Sequence, residues 1–222
     1  AMPAVMQRVQ KVKALRAASS RAATQALAAT PTLFGEIRQP QGRYLLIPCH
    51  SSERREIIPI GFMESTVIVG NANLCMPGAN LFHFGVMTSR MHMAWVSHVC
   101  GRIKSDYRYT NQIVYNNFPW PDLNVKSADV RVQAARAAVE TAASEVLDAR
   151  AAESGATLAD LYNPPMPEKL LKAHRALDGA VDAASAVTVA RIVRPRPSTP
   201  RAPNARALPH ATISSSCAAA CS

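Results

Sequence analysis

A segment in the middle of the chain, CGRIKSDYRYTNQIVYNNFPWPDL at residues 100–123, mixes cations, hydroxyl groups and aromatic rings. Cations neutralise phosphate groups, and hydroxyl groups donate hydrogen bonds to phosphate oxygens. The residues with this chemistry are Arg102, Lys104, Ser105, Tyr107 and Arg108. A phosphate backbone such as that of a nucleic acid is therefore a candidate ligand of this segment.

The same residues also allow a purely structural interpretation. Tyr107, Tyr109 and Tyr115 suit the half-buried surface of a β-sheet, and the charges would then form an ordinary solvated face. Arg54 and Arg55, in the stretch SSERRE, are ambiguous in the same way, because they either grip phosphate or decorate a loop. The residues alone leave both interpretations open.

Patterns that would carry catalysis or bind metal fail in their details. The NPP at residues 163–165 resembles the motif with which adenine-N6 DNA methyltransferases hold their target base, but Met166 stands where an aromatic ring should stack. A proline break before a helix explains it better. His92 and His98 are six residues apart and do not share a helix face with His83 as metal ligands would. We predict no catalytic residue and no metal site in this chain.

Charge and cysteine content narrow the class of protein. The formal net charge is +10, but half of it lies beyond Asp182, where five arginines meet no acid. The body of the chain is thus moderately basic. The five cysteines form no CxxC pair and no apolar run reaches about eighteen residues. We expect a reduced, cytoplasmic protein with no membrane partner.

The periodicity of apolar residues predicts an α+β fold, in which a small antiparallel β-sheet with packed helices precedes a helical C-terminal region and a disordered tail. A basic helix is expected over residues 4–29, and a β-hairpin is expected from TLFGEIRQ and RYLLIP. A single helix is expected over 81–103, QIVYNNF is expected to be a strand, and Ser127 is expected to cap a helix over 127–153.

The last forty residues differ from the rest of the chain. They contain no lysine, no acid beyond Asp182 and no aromatic residue, and they show no periodicity. A natural disordered tail and a reading-frame error near Ala184 both explain this composition. We expect no functional information from this segment.

Several ordered strings resemble a known family. They are TPTLFGEIRQP, YLLIP, SSERR, IPIGF, FHFGVMTSRMHMAWV, VCGRIKSDYRYTNQIVYNNFPWP and MPEKLLKAHRALDGAVD. In this order they resemble the C-terminal part of the MmeI-like (type IIL) restriction-modification enzymes and the related class I SAM-dependent adenine DNA methyltransferases. The resemblance covers roughly residues 4 to 183.

The resemblance implies a division of the chain into parts. Residues 1–30 would be a connecting helix from a missing upstream domain, and 31–123 a DNA target recognition domain. Residues 124–183 would be the helical C-terminal region, and 184–222 the disordered or frameshifted tail. The catalytic domain, and with it the SAM site, would lie upstream in the parent polypeptide, so this chain alone would hold no cofactor and methylate nothing.

With this resemblance, double-stranded DNA and the upstream methyltransferase domain become the expected partners. Arg102, Lys104, Ser105, Tyr107 and Arg108, together with Arg54 and Arg55, would lie by the DNA backbone. Tyr115, Phe118 and Trp120 would lock the segment to the protein. The candidates for base reading are Asn71, Asn73, Ser89 and Arg90. The alternatives that remain are a stand-alone basic nucleic-acid-binding protein without enzymatic activity and a structural scaffold.

Overall fold

The computed structural model describes residues 2–35, 39–123 and 126–193. The helices are α1 (Pro3–Ala17), α2 (Ala22–Ala26), α3 (Leu81–Met87), α4 (Arg90–Val99), α5 (Val130–Ala151), α6 (Leu158–Tyr162) and α7 (Glu168–Val193). The strands are β1 (Tyr44–Pro48), β2 (His50–Ser51), β3 (Gly61–Met63), β4 (Asn73–Pro77), β5 (Gly101–Ile103) and β6 (Asp106–Arg108). The predicted α+β class is confirmed, because small antiparallel sheets pack with helices and long helices follow them.

The residues up to Gln39 form a unit of their own. The predicted basic helix is two helices, because the chain leaves the helical path at residues 18–21, where the Ser19 hydroxyl accepts a hydrogen bond from the N–H of Arg21. The guanidinium of Arg16 donates to three carbonyl oxygens of the following turns, those of Leu27 (3.1 Å), Thr30 (2.9 Å) and Leu33 (2.9 Å). One side chain of α1 therefore fixes the segment from Leu27 to Leu33.

Two three-stranded antiparallel sheets form the β part of the unit that begins at Pro40, in the orders β3-β1-β4 and β2-β6-β5. Cys49 joins β1 to β2, so one stretch of chain serves both sheets. The Cys49 N–H donates to the carbonyl of Ala72 at 2.9 Å, and its own carbonyl accepts from Tyr109 N–H at 2.8 Å. The loop before β4 and the end of β6 are thereby tied to the same residue.

The expected hairpin between TLFGEIRQ and RYLLIP does not form. β1 pairs with β3 through Leu46 opposite Gly61, and with β4 through Pro48 opposite Asn73, so both of its edges are occupied. The described part of the preceding segment, residues 31–35 and 39–43, contains no strand, and residues 36–38 lie outside the described residues. Pairing between distant strands has overridden the local turn pattern.

The expected single helix over 81–103 breaks at two buried hydroxyl residues. The Thr88 hydroxyl donates to the carbonyl of Phe84 at 2.8 Å, and the Ser89 hydroxyl donates to that of Val86 at 2.7 Å. Side-chain donors that take helix carbonyls compete with the backbone ladder, which ends α3 at this point. The stretch expected to be a strand, QIVYNNF, begins instead as a single π-helical turn over Asn111–Tyr115.

The C-terminal helices pack against α3, and a glycine makes this packing possible. A Cβ on Gly85 would lie 2.9 Å from Val139 of α5 and 3.2 Å from Leu177 of α7.

α5 begins three residues after the expected cap, because Asp129 rather than Ser127 accepts the hydrogen bond from the first turn. α7 runs to Val193, ten residues past the boundary placed at 183, and residues 194–222 lie outside the described residues.

A buried arginine joins the first sheet to the C-terminal helices. Arg150 of α5 is 8% exposed, and it donates to the carbonyl of Ile60 at 2.7 Å and, through Nε and Nη2, to the hydroxyl of Tyr162. That hydroxyl also contacts His174 Nε2 at 2.6 Å. The guanidinium lies 4.9 Å from the ring centre of Phe84. Since the phenol accepts from arginine, it donates to a neutral histidine.

The buried guanidinium of Arg150 should carry a large share of stability. Replacing Arg150 by methionine leaves the Ile60 carbonyl without its donor, and we expect the free energy of unfolding to fall by about 2 to 4 kcal/mol. Urea denaturation measures this change. Arg175→Met, on the exposed face of α7, is the matched control and should stay within about 0.5 kcal/mol of the parent. Equal stability of both variants would contradict the structural role of Arg150.

Two buried histidines should make stability depend on pH. Burial lowers the pKa of His92 to about 3, and burial followed by the charge of Arg150 lowers the pKa of His174 to about 3. Both bind protons more readily in the unfolded chain, whose histidine pKa is about 6.5. Their contribution is therefore complete above about pH 6.5 and is lost as the pH falls toward 3, by about 1.4 kcal/mol per pH unit for each histidine.

Denaturation at several pH values between about 5 and 7.5 tests this. The slope of unfolding free energy against pH should fall by about half in His174→Gln. His98→Gln, which changes an exposed histidine, should keep the full slope. A slope in His174→Gln equal to that of the parent would contradict the assignment.

Candidate nucleic-acid interface

The β5–β6 hairpin presents most of the predicted phosphate-binding residues. Its turn is Lys104 and Ser105, both exposed, and Lys104 has a φ of 56°, in the left-handed region. Arg102 lies opposite Tyr107 and places its guanidinium 4.0 Å from that ring centre. Arg102 also donates to the carbonyls of Ser105 (2.8 Å) and Ser97 (3.3 Å). It therefore braces the hairpin as well as adding charge to it.

The aromatic residues of the segment lie inside the protein. Tyr115 and Phe118 are 4% and 5% exposed. The Phe118 ring lies 4.6 Å from His92 and 5.4 Å from Trp120, centre to centre. Trp95 of α4 donates its indole N–H to the carbonyl of Val114 at 3.0 Å. Trp120 is half-buried and contacts both Tyr115 and Phe118. These contacts are consistent with the expected role of the three residues in locking the segment to the protein, which stays a prediction.

The SSERRE loop lies beside the hairpin, because β2, which begins this loop, pairs with β6. Ser51 lies opposite Tyr107, and the Glu53 N–H donates to Asp106 Oδ1 at 3.2 Å. Arg54 is exposed and Arg55 half-buried. Strand pairing therefore brings the two stretches that the sequence analysis singled out separately onto one surface.

An open groove of about 390 Å³ is lined by residues from three parts of the chain, two of which contribute cations. We call it the arginine groove, and it is lined by Glu53, Arg54, Arg55, Glu56, Arg90, Met93, Ala94, Ser97 and Tyr107. Four of the predicted site residues meet here, namely Arg54, Arg55, Arg90 and Tyr107. Tyr107 is only 9% exposed, so a small part of this residue is accessible from the groove.

The remaining predicted residues lie outside the lining of the groove. Arg102, Lys104 and Ser105 form the exposed hairpin, and Arg108 of β6 is half-buried, with its Nε atom unpaired among the described residues. Asn71 is exposed in the loop before β4. Asn73 starts that strand, half-buried, with its amide 3.5 Å from the carbonyl of Gly70. Neither asparagine is among the residues that line the arginine groove.

Ser89 does not have the exposure that a base-reading residue requires. It is 1% exposed, and its hydroxyl donates to the carbonyl of Val86 at 2.7 Å and accepts from the N–H of His92 at 3.3 Å. Ser89 is the N-cap of α4, and we withdraw it as a candidate for base reading. Its neighbour Arg90 is exposed and remains one.

Four residues of this surface were missed by sequence reasoning. Glu53 and Glu56 line the groove. Asn163 Oδ1 accepts a hydrogen bond from Arg55 Nε at 3.0 Å, and Asp178 Oδ1 accepts from the backbone N–H of Arg90 at 2.7 Å. The two glutamates stand in the SSERRE stretch itself, but nothing in the local pattern points to Asn163 or Asp178.

Electrostatics at the rim of the groove follow from partial burial. Burial raises the pKa of Asp178, and hydrogen bonding and attraction from Arg90 act in the opposite direction. A carboxylate at the start of α4 satisfies the exposed N–H groups of the helix end. A phosphate group at the start of α4 would have to displace the Asp178 carboxylate. The side chains of the groove arginines are therefore the better candidates for anion ligands.

The fold and this surface define the chain as a target recognition domain followed by a helical C-terminal domain. The family described as "MmeI, target recognition domain" matches residues 1–122, and the family described as "MmeI, C-terminal domain" matches residues 131–191. The chain belongs to the MmeI target recognition domain family.

Two known proteins show the same relationship in detail. The chain is 38% identical over 183 residues to DNA methyltransferase A of Bacillus subtilis (strain 168), which covers 82% of this chain and 20% of that protein. It also resembles the solved structure of the type IIL restriction-modification enzyme MmeI in complex with DNA, with 42% identity and a TM-score of 0.71. That match covers 86% of this chain and 25% of the MmeI chain. The chain thus spans a fifth to a quarter of these relatives.

Two kinds of feature are absent from the described residues. No helix in the described ranges is both long and apolar enough to cross a membrane. Within the same ranges, no group of three or more His, Cys, Asp or Glu side chains is arranged to hold a metal ion.

The left-handed conformation of Lys104 allows its charge to be separated from its backbone strain. Lys104→Gly and Lys104→Ala remove the same charge, but only glycine adopts a positive φ without cost. We expect the Lys104→Gly variant to be more stable than the Lys104→Ala variant by about 1 kcal/mol of unfolding free energy, as measured by urea denaturation. Equal stability of the two variants would show that the turn relaxes when the lysine is replaced.

Proposed function

We propose that this chain is the sequence-specific DNA recognition module of a site-specific adenine-N6 DNA methyltransferase, whose catalytic part lies outside these residues. The observation that carries the proposal is the convergence of Arg54, Arg55 and Arg90 in one groove beside the exposed Lys104 of the hairpin. Membership of the target recognition domain family supports the same conclusion.

The side chains of this surface suit duplex DNA. The hairpin cations, together with Arg54 and Arg55, are the proposed contacts to the backbone, because positive charge releases counterions from DNA. Arg90, Asn71 and Asn73 remain the candidates for base edges. The arginine groove also contains Glu53 and Glu56, and acceptors are of use against base edges, which present donors, but not against phosphates.

In the parent protein, this module would select the site and a methyltransferase domain would modify the adenine, with SAM as the methyl donor. The relatives support this assignment, since one is a DNA methyltransferase and the other a type IIL restriction-modification enzyme. The arginine groove does not fit SAM, because charged side chains line it and its aromatic residue, Tyr107, is 9% exposed. We propose that SAM binds in the upstream domain, and we expect no methylation by this chain alone.

We propose the division of the chain that the sequence predicts, with a recognition domain over residues 31–123 and a helical region over residues 124–183. The upstream methyltransferase domain is the proposed protein partner of the module, and residues 1–30 are the proposed connection to it. The tail from residue 184 is proposed to have no part in recognition. Its first ten residues extend α7.

A salt titration tests the DNA-binding function. The chain should bind a labelled duplex of mixed sequence in fluorescence anisotropy, with an affinity that falls steeply between about 50 and 200 mM salt. Arg54→Ala combined with Lys104→Ala should reduce the slope of log K against log salt by about 1.8, since each lost phosphate contact removes about 0.9.

The control for this titration removes the same charge elsewhere. Lys169 and Arg175 are exposed on α7 and do not line the groove. Lys169→Ala with Arg175→Ala should leave the salt slope near that of the parent. An equal effect of the two double variants would place the DNA elsewhere, and binding without salt dependence would exclude a recognition module of this kind.

A further inference from the structure

The NPP segment, for which the sequence predicted no catalytic role, contacts the arginine groove through Asn163. Asn163 Oδ1 accepts a hydrogen bond from Arg55 Nε at 3.0 Å, and the two residues are 108 positions apart. Arg55 lines the groove and is half-buried there. A guanidinium has five N–H donors, and the use of Nε leaves the two terminal nitrogens for a ligand. Those two nitrogens form the bidentate contacts of arginine with phosphate or guanine.

Asn163 is itself held in a defined place. Its backbone N–H donates to the carbonyl of Ala159 at 3.0 Å and so ends α6. α6 starts with a reciprocal cap between Thr157 and Asp160, which fixes the other end of this short helix. Tyr162, directly before Asn163, is 2% exposed and bound to Arg150 and His174. The exposed side chain of Asn163 is therefore attached to a buried and hydrogen-bonded residue, Tyr162.

A second contact from the same region acts on another arginine of the groove. Asp178 of α7 accepts the backbone N–H of Arg90, 88 positions away, at 2.7 Å. This bond anchors the first residue of α4, from which the Arg90 side chain reaches the groove. Residues that follow the recognition domain therefore contact two of the three groove arginines, Arg55 at its side chain and Arg90 at its backbone.

We infer that Asn163 is a positioning residue for DNA binding, which acts by holding the Arg55 guanidinium so that its terminal nitrogens face the DNA. The helical C-terminal domain then contributes to the recognition surface directly, rather than only supporting the fold. This inference rests on the proposed function, since it assumes that the arginine groove contacts DNA. Preorganising an arginine reduces the conformational entropy that is lost on binding, which is the source of the expected gain in affinity.

A double-mutant cycle on the whole chain tests the inference. Asn163→Ala should weaken binding of the labelled mixed-sequence duplex by about three- to tenfold, the change that one hydrogen bond of ordinary net strength supports. Arg55→Ala should weaken it further and reduce the salt slope by about 0.9. In the Arg55→Ala background, Asn163→Ala should have no further effect, because its partner is already absent.

Arg55→Lys separates position from charge. Lysine keeps the positive charge but has no Nε that can donate to Asn163 while two other nitrogens bind the ligand. We expect Arg55→Lys to keep the salt slope, to lose about the same three- to tenfold in affinity as Asn163→Ala, and to be insensitive to Asn163→Ala. Thermal unfolding of each variant shows whether the fold is kept, and Arg175→Ala is the control for loss of charge outside the groove.

The outcomes separate this inference from the function on which it rests. Salt-dependent binding by the parent with equal effects of Asn163→Ala in all three Arg55 backgrounds would overturn the positioning role and leave the recognition function intact. The absence of salt-dependent binding by the parent would overturn both. An effect of Asn163→Ala that vanishes in the Arg55→Ala and Arg55→Lys backgrounds supports the inference, because a merely structural residue would act in every background.

Discussion

A guanidinium in the interior links the first sheet to the C-terminal helices. Arg150 lies between the sheet and the C-terminal helices, where it meets the carbonyl of Ile60, the hydroxyl of Tyr162 and the face of Phe84. Withdrawing a charge from water is costly unless its donors are satisfied. Its hydrogen-bond partners are the neutral oxygens of Ile60 and Tyr162, and together with the ring faces of Phe84 and Tyr162 they offset the cost. The arrangement requires all of these groups at once, which couples the sheet to α5, α6 and α7.

This coupling also explains the state of His174. The histidine accepts a hydrogen bond from Tyr162, and both burial and the nearby charge of Arg150 lower its pKa. A proton on this ring would place a second positive charge beside the first. The same network positions the residue after Tyr162, namely Asn163, whose amide contacts Arg55 at the surface. The adjacent residues Tyr162 and Asn163 thereby connect the buried Arg150 to the half-buried Arg55.

The residues of the segment 100–123 have two different roles. Its tyrosines and Phe118 are buried, as the structural interpretation requires, whereas Lys104 and Ser105 are exposed, as the binding interpretation requires. Arg102 belongs to both groups, because it stacks on Tyr107 and bonds to two carbonyls while remaining exposed. The two interpretations were alternatives only as long as the segment was considered as one unit.

Local patterns in the sequence were sufficient for the α+β class, for the position of most helices, for the exposed cations and for the family. These properties depend on composition, on apolar periodicity and on long ordered strings, all of which can be read along the chain. The predicted hairpin before β1 failed because the partners of β1 are remote, since β3 and β4 occupy both of its edges. Ser89 failed as a base-reading candidate for another reason. Its hydrogen-bond partners, Val86 and His92, are local, but tertiary packing leaves it 1% exposed.

Only the tertiary structure decided which cations share a groove and what holds them there. Arg55 meets Asn163 across 108 residues and Arg90 meets Asp178 across 88, and pairs at such distances leave no periodicity for a local rule to detect. Their approach results from the packing of α5 and α7 against α3, which the absence of a side chain at Gly85 permits. The sequence by itself therefore determined the kinds of residues that face DNA in the proposed function, while packing determined their arrangement.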